Sequence, residues 1–228
     1  MKKLLSLIFV SLLLSASAYA ECIKGDCKNG YGEYVWKSGK KYEGEWLKNK
    51  RSGQGTLTTT NGFRYEGGWL KNKKSGQGTV LYESGNRYEG EWLKDKYHGQ
   101  GILTMTTGSR YEGEWVKGLR QGQGITFYKD GDRFEGEYLK NKEDGWGIWY
   151  LSDGEREEGN YKKGLQHGKV TSYFPDGTME IEIRDKGRLV KKIESKQVIQ
   201  KNNEAELASM INKAKDTCKT LGFEEGTD

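Results

Sequence analysis

The side chains best equipped for chemistry are few. They are Cys22, Cys27 and Cys218, His98 and His167, and glutamates spread through the whole chain. Cys22 and Cys27 enclose a short loop containing Gly25, a spacing that suits a disulfide in an oxidising compartment. A zinc site would need a second ligand pair, and none accompanies them. Cys218 is left over, either free or paired elsewhere. His98 and His167 occupy equivalent positions of a repeating pattern, three repeats apart, so they should lie tens of ångströms from each other. That spacing excludes a shared metal or an acid–base pair, and both are expected as solvated loop residues. No Ser/His/Asp or Cys/His set can be assembled. Gly-x-Gly pairs recur, but without the helix N-terminus that a phosphate-binding loop needs. The expectation is therefore no catalytic, cofactor-binding or metal-binding residue, no cofactor, and no enzyme.

The elements behind these residues follow a beat of 23 residues. Tyr42-Glu-Gly-Glu-Trp46 returns as Tyr65-Glu-Gly-Gly-Trp69, Tyr88-Glu-Gly-Glu-Trp92, Tyr111-Glu-Gly-Glu-Trp115 and Phe134-Glu-Gly-Glu-Tyr138. Gly-x-Gly keeps the same period from Gly30/Gly32 to Gly145/Gly147, as does a lone turn glycine at 39, 62, 85, 108, 131, 154 and 177. A fixed period of this size means stacked identical units, each burying what its neighbour exposes. Within one unit, Gly53 to Thr60 is β-prone, Asn61-Gly62 is a hairpin turn signal of type I′, and Phe63 to Leu70 is the return strand. Lys71 to Ser75 reads as a polar loop to the next unit. About seven such hairpins, or some 14 strands, predict an elongated single-layer antiparallel meander on the order of 65 Å long.

Alternation along the second strand separates two faces. One stacks the rings of Tyr42, Tyr65, Tyr88, Tyr111 and Phe134 beside those of Trp46, Trp69, Trp92, Trp115, Tyr138 and Tyr161. A glycine column between them, Gly44 to Gly159, leaves room for a neighbouring ring or backbone. The other face carries Arg64, Arg87, Arg110, Arg133 and Arg156 beside glutamates at 43, 66, 89, 112, 135 and 158, and reads as solvated. Two surfaces could bind something. The aromatic face (Tyr42, Trp46, Tyr65, Trp69, Tyr88, Trp92, Tyr111, Trp115) suits a peptide, a glycan or lipid head groups, unless its rings serve only to hold the sheet. The basic edge (Lys48, Lys71, Lys94, Lys117, Lys140, Lys163) would form a row about 10 Å apart, able to meet an anionic lipid or another polyanion, or simply to keep the ribbon soluble.

Composition agrees. Glycine is 33 of 228 residues, aromatics are 12 % and apolar residues only 33 %, too few for a thick two-layer globule. Residues 1–20 have a basic start at Lys2 and Lys3, an apolar run from Leu4 to Leu14 and an Ala18-Tyr19-Ala20 site. They are expected to be a cleaved secretory signal peptide, placing the mature chain in the periplasm or at the cell surface. Its loss lowers the formal charge of +5 to about +3, nearly balanced, which argues against a nucleic-acid binder.

The Tyr-x-Gly-x-Trp core, the Gly-x-Gly and the period resemble MORN repeats (membrane occupation and recognition nexus), here of a secreted bacterial type. The resemblance implies β-hairpins in an open sheet, and scaffolding, partner binding or membrane association rather than catalysis. The expected layout is a signal peptide (1–20), an N-terminal cap with the Cys22–Cys27 disulfide (21–29), the repeat array (30–185), a divergent terminal strand or linker (186–200) and an amphipathic C-terminal α-helix with its tail (201–228). The array decays towards that end, where the ring position becomes Glu157 and then Glu180. In the helix, Leu207, Met210, Ile211, Ala214, Cys218 and Leu221 share one face after an Asn203 cap. The functional expectation is a non-enzymatic scaffold or protein-binding module of the cell envelope with an unidentified protein partner. The alternative is peripheral binding of anionic lipid, or contact with an envelope polymer, through the lysine edge.

Overall fold

The structure is a computed structural model that describes residues 20–193. Residues 1–19 of the expected signal peptide, the expected C-terminal helix and Cys218 lie outside the described residues. The described chain forms one antiparallel sheet of 16 strands in sequence order, each bonded to the next. The strands are β1 (Glu21–Gly25), β2 (Tyr31–Val35), β3 (Lys41–Leu47), β4 (Lys50–Thr58), β5 (Arg64–Leu70), β6 (Lys73–Leu81), β7 (Arg87–Leu93) and β8 (Lys96–Thr104). They continue as β9 (Arg110–Val116), β10 (Leu119–Phe127), β11 (Arg133–Leu139), β12 (Lys142–Tyr150), β13 (Arg156–Lys162), β14 (Leu165–Tyr173), β15 (Met179–Asp185) and β16 (Arg188–Ile193). The expected meander of stacked hairpins is what the chain builds. A Cys22–Cys27 disulfide joins β1 to the turn before β2.

Two kinds of turn alternate, and their roles are the reverse of the sequence expectation. At Asn61-Gly62 the Thr59 N–H donates to Phe63 O (3.0 Å) and the Gly62 N–H to Thr59 O (3.3 Å). Gly62 has φ +93° while Asn61 has no positive φ, so this is not a type I′ turn. The loop expected over residues 71–75 is a two-residue turn, because Leu70 already pairs with Lys73. Its central residues, Lys71 (φ 51°) and Asn72 (φ 70°), both have the positive φ that type I′ requires. The asparagine offsets the strain with side-chain and backbone bonds to the preceding repeat. Asn72 Oδ1 accepts from Arg51 N (2.8 Å), and Asn72 N donates to Arg51 O (3.0 Å). The same stitch recurs between Asp95 and Lys74 and between Asn141 and Arg120.

From Gly53/Gly55 to Gly145/Gly147 each Gly-x-Gly lies inside a strand, not at its start. Between the pairs Gly44↔Gly55 and Trp46↔Arg51 the register shifts, a β-bulge with Gly53 at φ +58°. The glutamate of the Glu-Trp dipeptide caps this bulge. Glu45 Oε1 accepts from Gln54 N (2.8 Å), and Glu91 and Glu114 do the same one Gly-x-Gly at a time.

The core is made by one face of this single sheet. Tyr42, Tyr65, Tyr88 and Phe134 are fully buried, and the tryptophans from Trp46 to Trp115 are 3–8 % exposed. Paired glycines explain how. A Cβ on Gly78 would fall 2.7 Å from Tyr65 Cζ, so the tyrosine ring lies directly on the backbone where a side chain would stand. Tyr65 then meets Trp69 and Trp92 edge-on, at centroid distances of 5.0 and 5.2 Å. Polar ring atoms are satisfied by backbone. Tyr65 Oη donates to Gly68 O (2.9 Å) and Trp92 Nε1 to Gly78 O (3.0 Å).

Candidate functional site

Because the ring columns are the core, the solvent-facing part of that side is the row above them. It comes from the strand position that pairs with each tryptophan: Arg51 opposite Trp46, Lys74 opposite Trp69 and Tyr97 opposite Trp92. Arg51 lies 4.0 Å over the Trp69 ring, and Lys74 Nζ lies 4.3 Å over Trp92 and 5.0 Å over Tyr65. Tyr97 stacks on Tyr88 at 3.6 Å and bonds Tyr82 Oη (2.6 Å). Arg120 covers Tyr138 at 5.0 Å and Tyr111 at 5.3 Å. A second row, set in the hairpin turns, begins with Lys40 over Trp36 (5.1 Å).

These cations differ from those on the opposite face. There Arg64, Arg87, Arg133 and Arg156 each meet the glutamate two residues on, at 2.6, 2.5, 3.1 and 3.4 Å, and Arg110 meets Glu112. Among the described residues no carboxylate lies within 4.0 Å of Lys40, Arg51, Lys74 or Arg120. Burial pulls the Lys74 ammonium down to about 8, with Asp95 opposing the shift and Arg51 adding to it. Burial and the neighbouring Arg51 likewise lower Lys40, and burial lowers Arg51.

The sign of the row changes along the array. The successors of Arg51 and Lys74 end in Glu143 and Gln166, and the position of Lys40 is taken by Glu155. Glu157 replaces a core tyrosine and is satisfied by Gln166 Nε2 (2.8 Å) and Ser172 Oγ (3.4 Å). Burial, then Glu157, Asp153 and Glu180, push the Glu155 carboxyl up. A cleft of about 530 Å³ opens at the cationic end, lined by Tyr34, Trp36, Lys40, Trp46, Arg51 and Asn72 among others.

The lysine edge is where the sequence placed it, with the geometry corrected. Lys48, Lys71, Lys94, Lys117, Lys140 and Lys163 are exposed and hold the first, positive-φ position of the two-residue turns. Sequence reasoning missed the column beside them. Leu47, Leu70, Leu93, Val116 and Leu139 are 40–57 % exposed, and an apolar residue directly before each lysine from Lys48 to Lys140 was its visible signal. The histidines are not loop residues. His98 lies in β8 opposite Glu91 with a buried, unpartnered Nδ1, and His167 lies in β14 with Nδ1 3.2 Å from Asp185. Five strands, β9 to β13, lie between them. Among the described residues no group of three metal-ligating side chains occurs, and no helix is long and apolar enough to cross a membrane.

The MORN-repeat family model matches residues 25–41, 42–64, 65–87, 88–110, 111–133 and 158–179, more than half of the chain. The chain belongs to the MORN-repeat family. Membership makes it a repeat scaffold, or a module that binds protein or lipid. The stretch between the last two matches is the unit in which Phe134 and Tyr138 replace the tyrosine and tryptophan of the earlier repeats. No curated protein matches the chain. Among solved structures, the TCP domain of Drosophila melanogaster SAS-4 (dCPAP), in complex with a proline-rich motif of Ana2, aligns with 81 % of this chain and 99 % of its own, at 14 % identity and a TM-score of 0.46. The wild-type TCP10 domain of Danio rerio CPAP aligns with 72 % of this chain and 84 % of its own, at 9 % identity and a TM-score of 0.30. An inactive virginiamycin B lyase from Staphylococcus aureus aligns with 73 % of each chain, at 10 % identity and a TM-score of 0.21.

Proposed function

We propose that this MORN array is a non-enzymatic scaffold of the cell envelope, secreted by its N-terminal segment, that binds a protein partner across the ring side of the sheet. One observation carries the reading. Among the described residues the cations over the rings have no carboxylate within 4.0 Å, while the arginines of the opposite side are ion-paired. A half-desolvated charge without a counter-charge is costly, and a partner's carboxylate relieves that cost on binding. The test is capture of envelope proteins on the immobilised protein. One specific protein should be retained, lost on Arg51→Glu with Arg120→Glu, and kept on Lys71→Ser with Lys94→Ser. Capture that survives both arginine reversals, or no specific capture, refutes the reading.

A second reading has its own support. The exposed column from Leu47 to Leu139 beside the turn lysines is an amphipathic edge, the arrangement by which apolar side chains enter a bilayer interface while lysines meet anionic head groups. It requires salt-sensitive flotation with phosphatidylglycerol vesicles, abolished by Leu70→Ser with Leu93→Ser. Absence of flotation at low salt excludes it.

A further inference from the structure

We propose that the cleft over the first two repeats, continued by Lys74, is a binding site for an extended acidic peptide of a partner protein, with carboxylates held by Lys40, Arg51 and Lys74 and apolar side chains laid on Trp36 and Tyr34. The proposal rests on the scaffold reading and specifies the partner's chemistry. Lys40 and Arg51 line one cleft, where both are partly desolvated. Lys40 is lowered by burial and by Arg51, and among the described residues no carboxylate lies in salt-bridge range of either. Two like charges gathered at a partly desolvated site are a binding site for the opposite charge.

The donors have free capacity. Arg51 spends Nη2 on Asn72 O (2.9 Å), which fixes the guanidinium plane over Trp69. Its remaining N–H groups are left for a carboxylate. Lys40 Nζ lies 5.1 Å over the Trp36 ring, and Trp36 itself packs against Tyr34 at 4.7 Å.

Spacing and sign select a peptide over other anions. Arg51 and Lys74 stand two strands apart, about 10 Å, close to one turn of a peptide in the extended polyproline II conformation, which rises about 3.1 Å per residue and returns every third side chain to the same side. A peptide with an acidic residue at every third position, running along the array, therefore meets both. The next positions in the row are Tyr97 and Arg120, and beyond them Glu143, Glu155 and Glu157 turn the surface acidic. A long uniform polyanion is repelled there, and a flat membrane reaches the turn edge rather than a cleft over the rings. The ligand is thus short in its charged part and carries apolar side chains between the charges.

The experiment is fluorescence anisotropy with the purified protein. Its probe is a fluorescein-labelled nine-residue peptide with glutamate at every third position and leucine or phenylalanine between; the control peptide has glutamine for glutamate. The glutamate peptide should bind at least about tenfold more tightly, the effect of one charge-assisted hydrogen bond. That advantage should vanish in Lys40→Gln with Arg51→Gln, and persist in Arg87→Gln on the opposite face and in Lys71→Gln at the turn edge. Lys40→Gln alone, a turn substitution that leaves every buried ring in place, should remove about threefold and guards against misfolding of the double variant. Equal binding of both peptides, no binding of either, or full binding by a double variant with an unchanged melting temperature overturns the proposal. If the peptide fails while partner capture still depends on Arg120, the acidic-peptide site is wrong and the scaffold reading stands. If the peptide binds as expected and no partner is captured, the reverse holds.

Discussion

The two faces of this sheet share one backbone and one period, yet they treat charge in opposite ways. On one face Arg87 meets Glu89 at 2.5 Å, with both side chains about half in water at 49 % and 54 % exposure. On the other, Lys74 stands over Trp92 and Tyr65 with no carboxylate within 4.0 Å among the described residues, and its neighbours Tyr65 and Trp92 are 0 % and 3 % exposed. The cause is the Gly67↔Gly78 pair and its counterparts in the other repeats. By omitting side chains on one face they let a tyrosine lie on the backbone, so a single layer acquires a core. The residues over that core are free to vary, and they do, from Arg51 and Lys74 to Glu143 and Gln166. Stability therefore belongs to one face, and solubility to the other. Recognition is assigned to the thin variable row above the rings.

Alkali should break this division most completely, because the buried phenols that hold the sheet lie on the ring face. Burial raises Tyr42, Tyr65, Tyr88, Tyr97 and Tyr138 far above the ordinary 10, and pushes Tyr111, Tyr128 and Tyr161 up to about 12. A group whose folded pKa is raised keeps its full contribution below the unfolded value and loses it as pH climbs towards the folded one. Stability should fall steeply from about pH 10 upwards, ending in cooperative loss of the sheet with the appearance of tyrosinate absorbance. Lys74 acts in the other direction. Its folded pKa of about 8 lies below the ordinary 10.5, so the unfolded state binds more protons between the two and stability should first rise slightly from pH 8 to 10. A melting temperature that stays flat from pH 8 to 12 contradicts the buried-ring core.

Trp92→Ala comes next. It empties a site touched by Tyr65, Tyr88 and Tyr97 and strands the Gly78 carbonyl, and should cost about 3–5 kcal/mol in urea denaturation. In a linear array the damage should stay local, so hydrogen exchange should accelerate in β5 to β8 well before β13. Gly78→Ala inverts the experiment by adding one methyl group where Tyr65 lies. It should cost about 1–3 kcal/mol by overpacking. The same change at Gly62, whose Cβ would meet open space, tests φ alone and should cost less, about 1 kcal/mol.

How much of this was readable beforehand depends on which residues repeat. The ring and glycine columns repeat faithfully, so the hairpins, the single sheet and the Arg–Glu face followed from spacing. The turns were exchanged because Asn61-Gly62 carries the familiar signal, whereas Lys71 at φ 51° is an unusual occupant of a type I′ turn. Its conformation depends on the Asn72 stitch to Arg51, a contact across 21 residues that no local pattern displays. The cationic row escaped notice for a related reason. Arg51, Lys74, Tyr97 and Arg120 share a position but not a chemistry, so they form no column by residue type. Only cross-strand pairing with the tryptophans puts them over the core.

The smallest effect is also the sharpest check on the comparison. Arg87→Gln removes an ion pair whose members are both about half exposed, and should cost about 0.2–1 kcal/mol, less in high salt. Arg156→Gln removes a longer pair, 3.4 Å, and on Coulomb's law alone should cost less. Its guanidinium, however, also lies 4.3 Å over Tyr173, whose hydroxyl donates to the same Glu158 (2.7 Å). If exposed ion pairs contribute little and contact with rings contributes more, Arg156→Gln should be the costlier change, and its cost should survive salt. Urea denaturation of the two variants at low and high salt decides between them. An Arg87→Gln cost equal to that of Gly78→Ala would mean that the charged face holds the sheet together as much as the rings do.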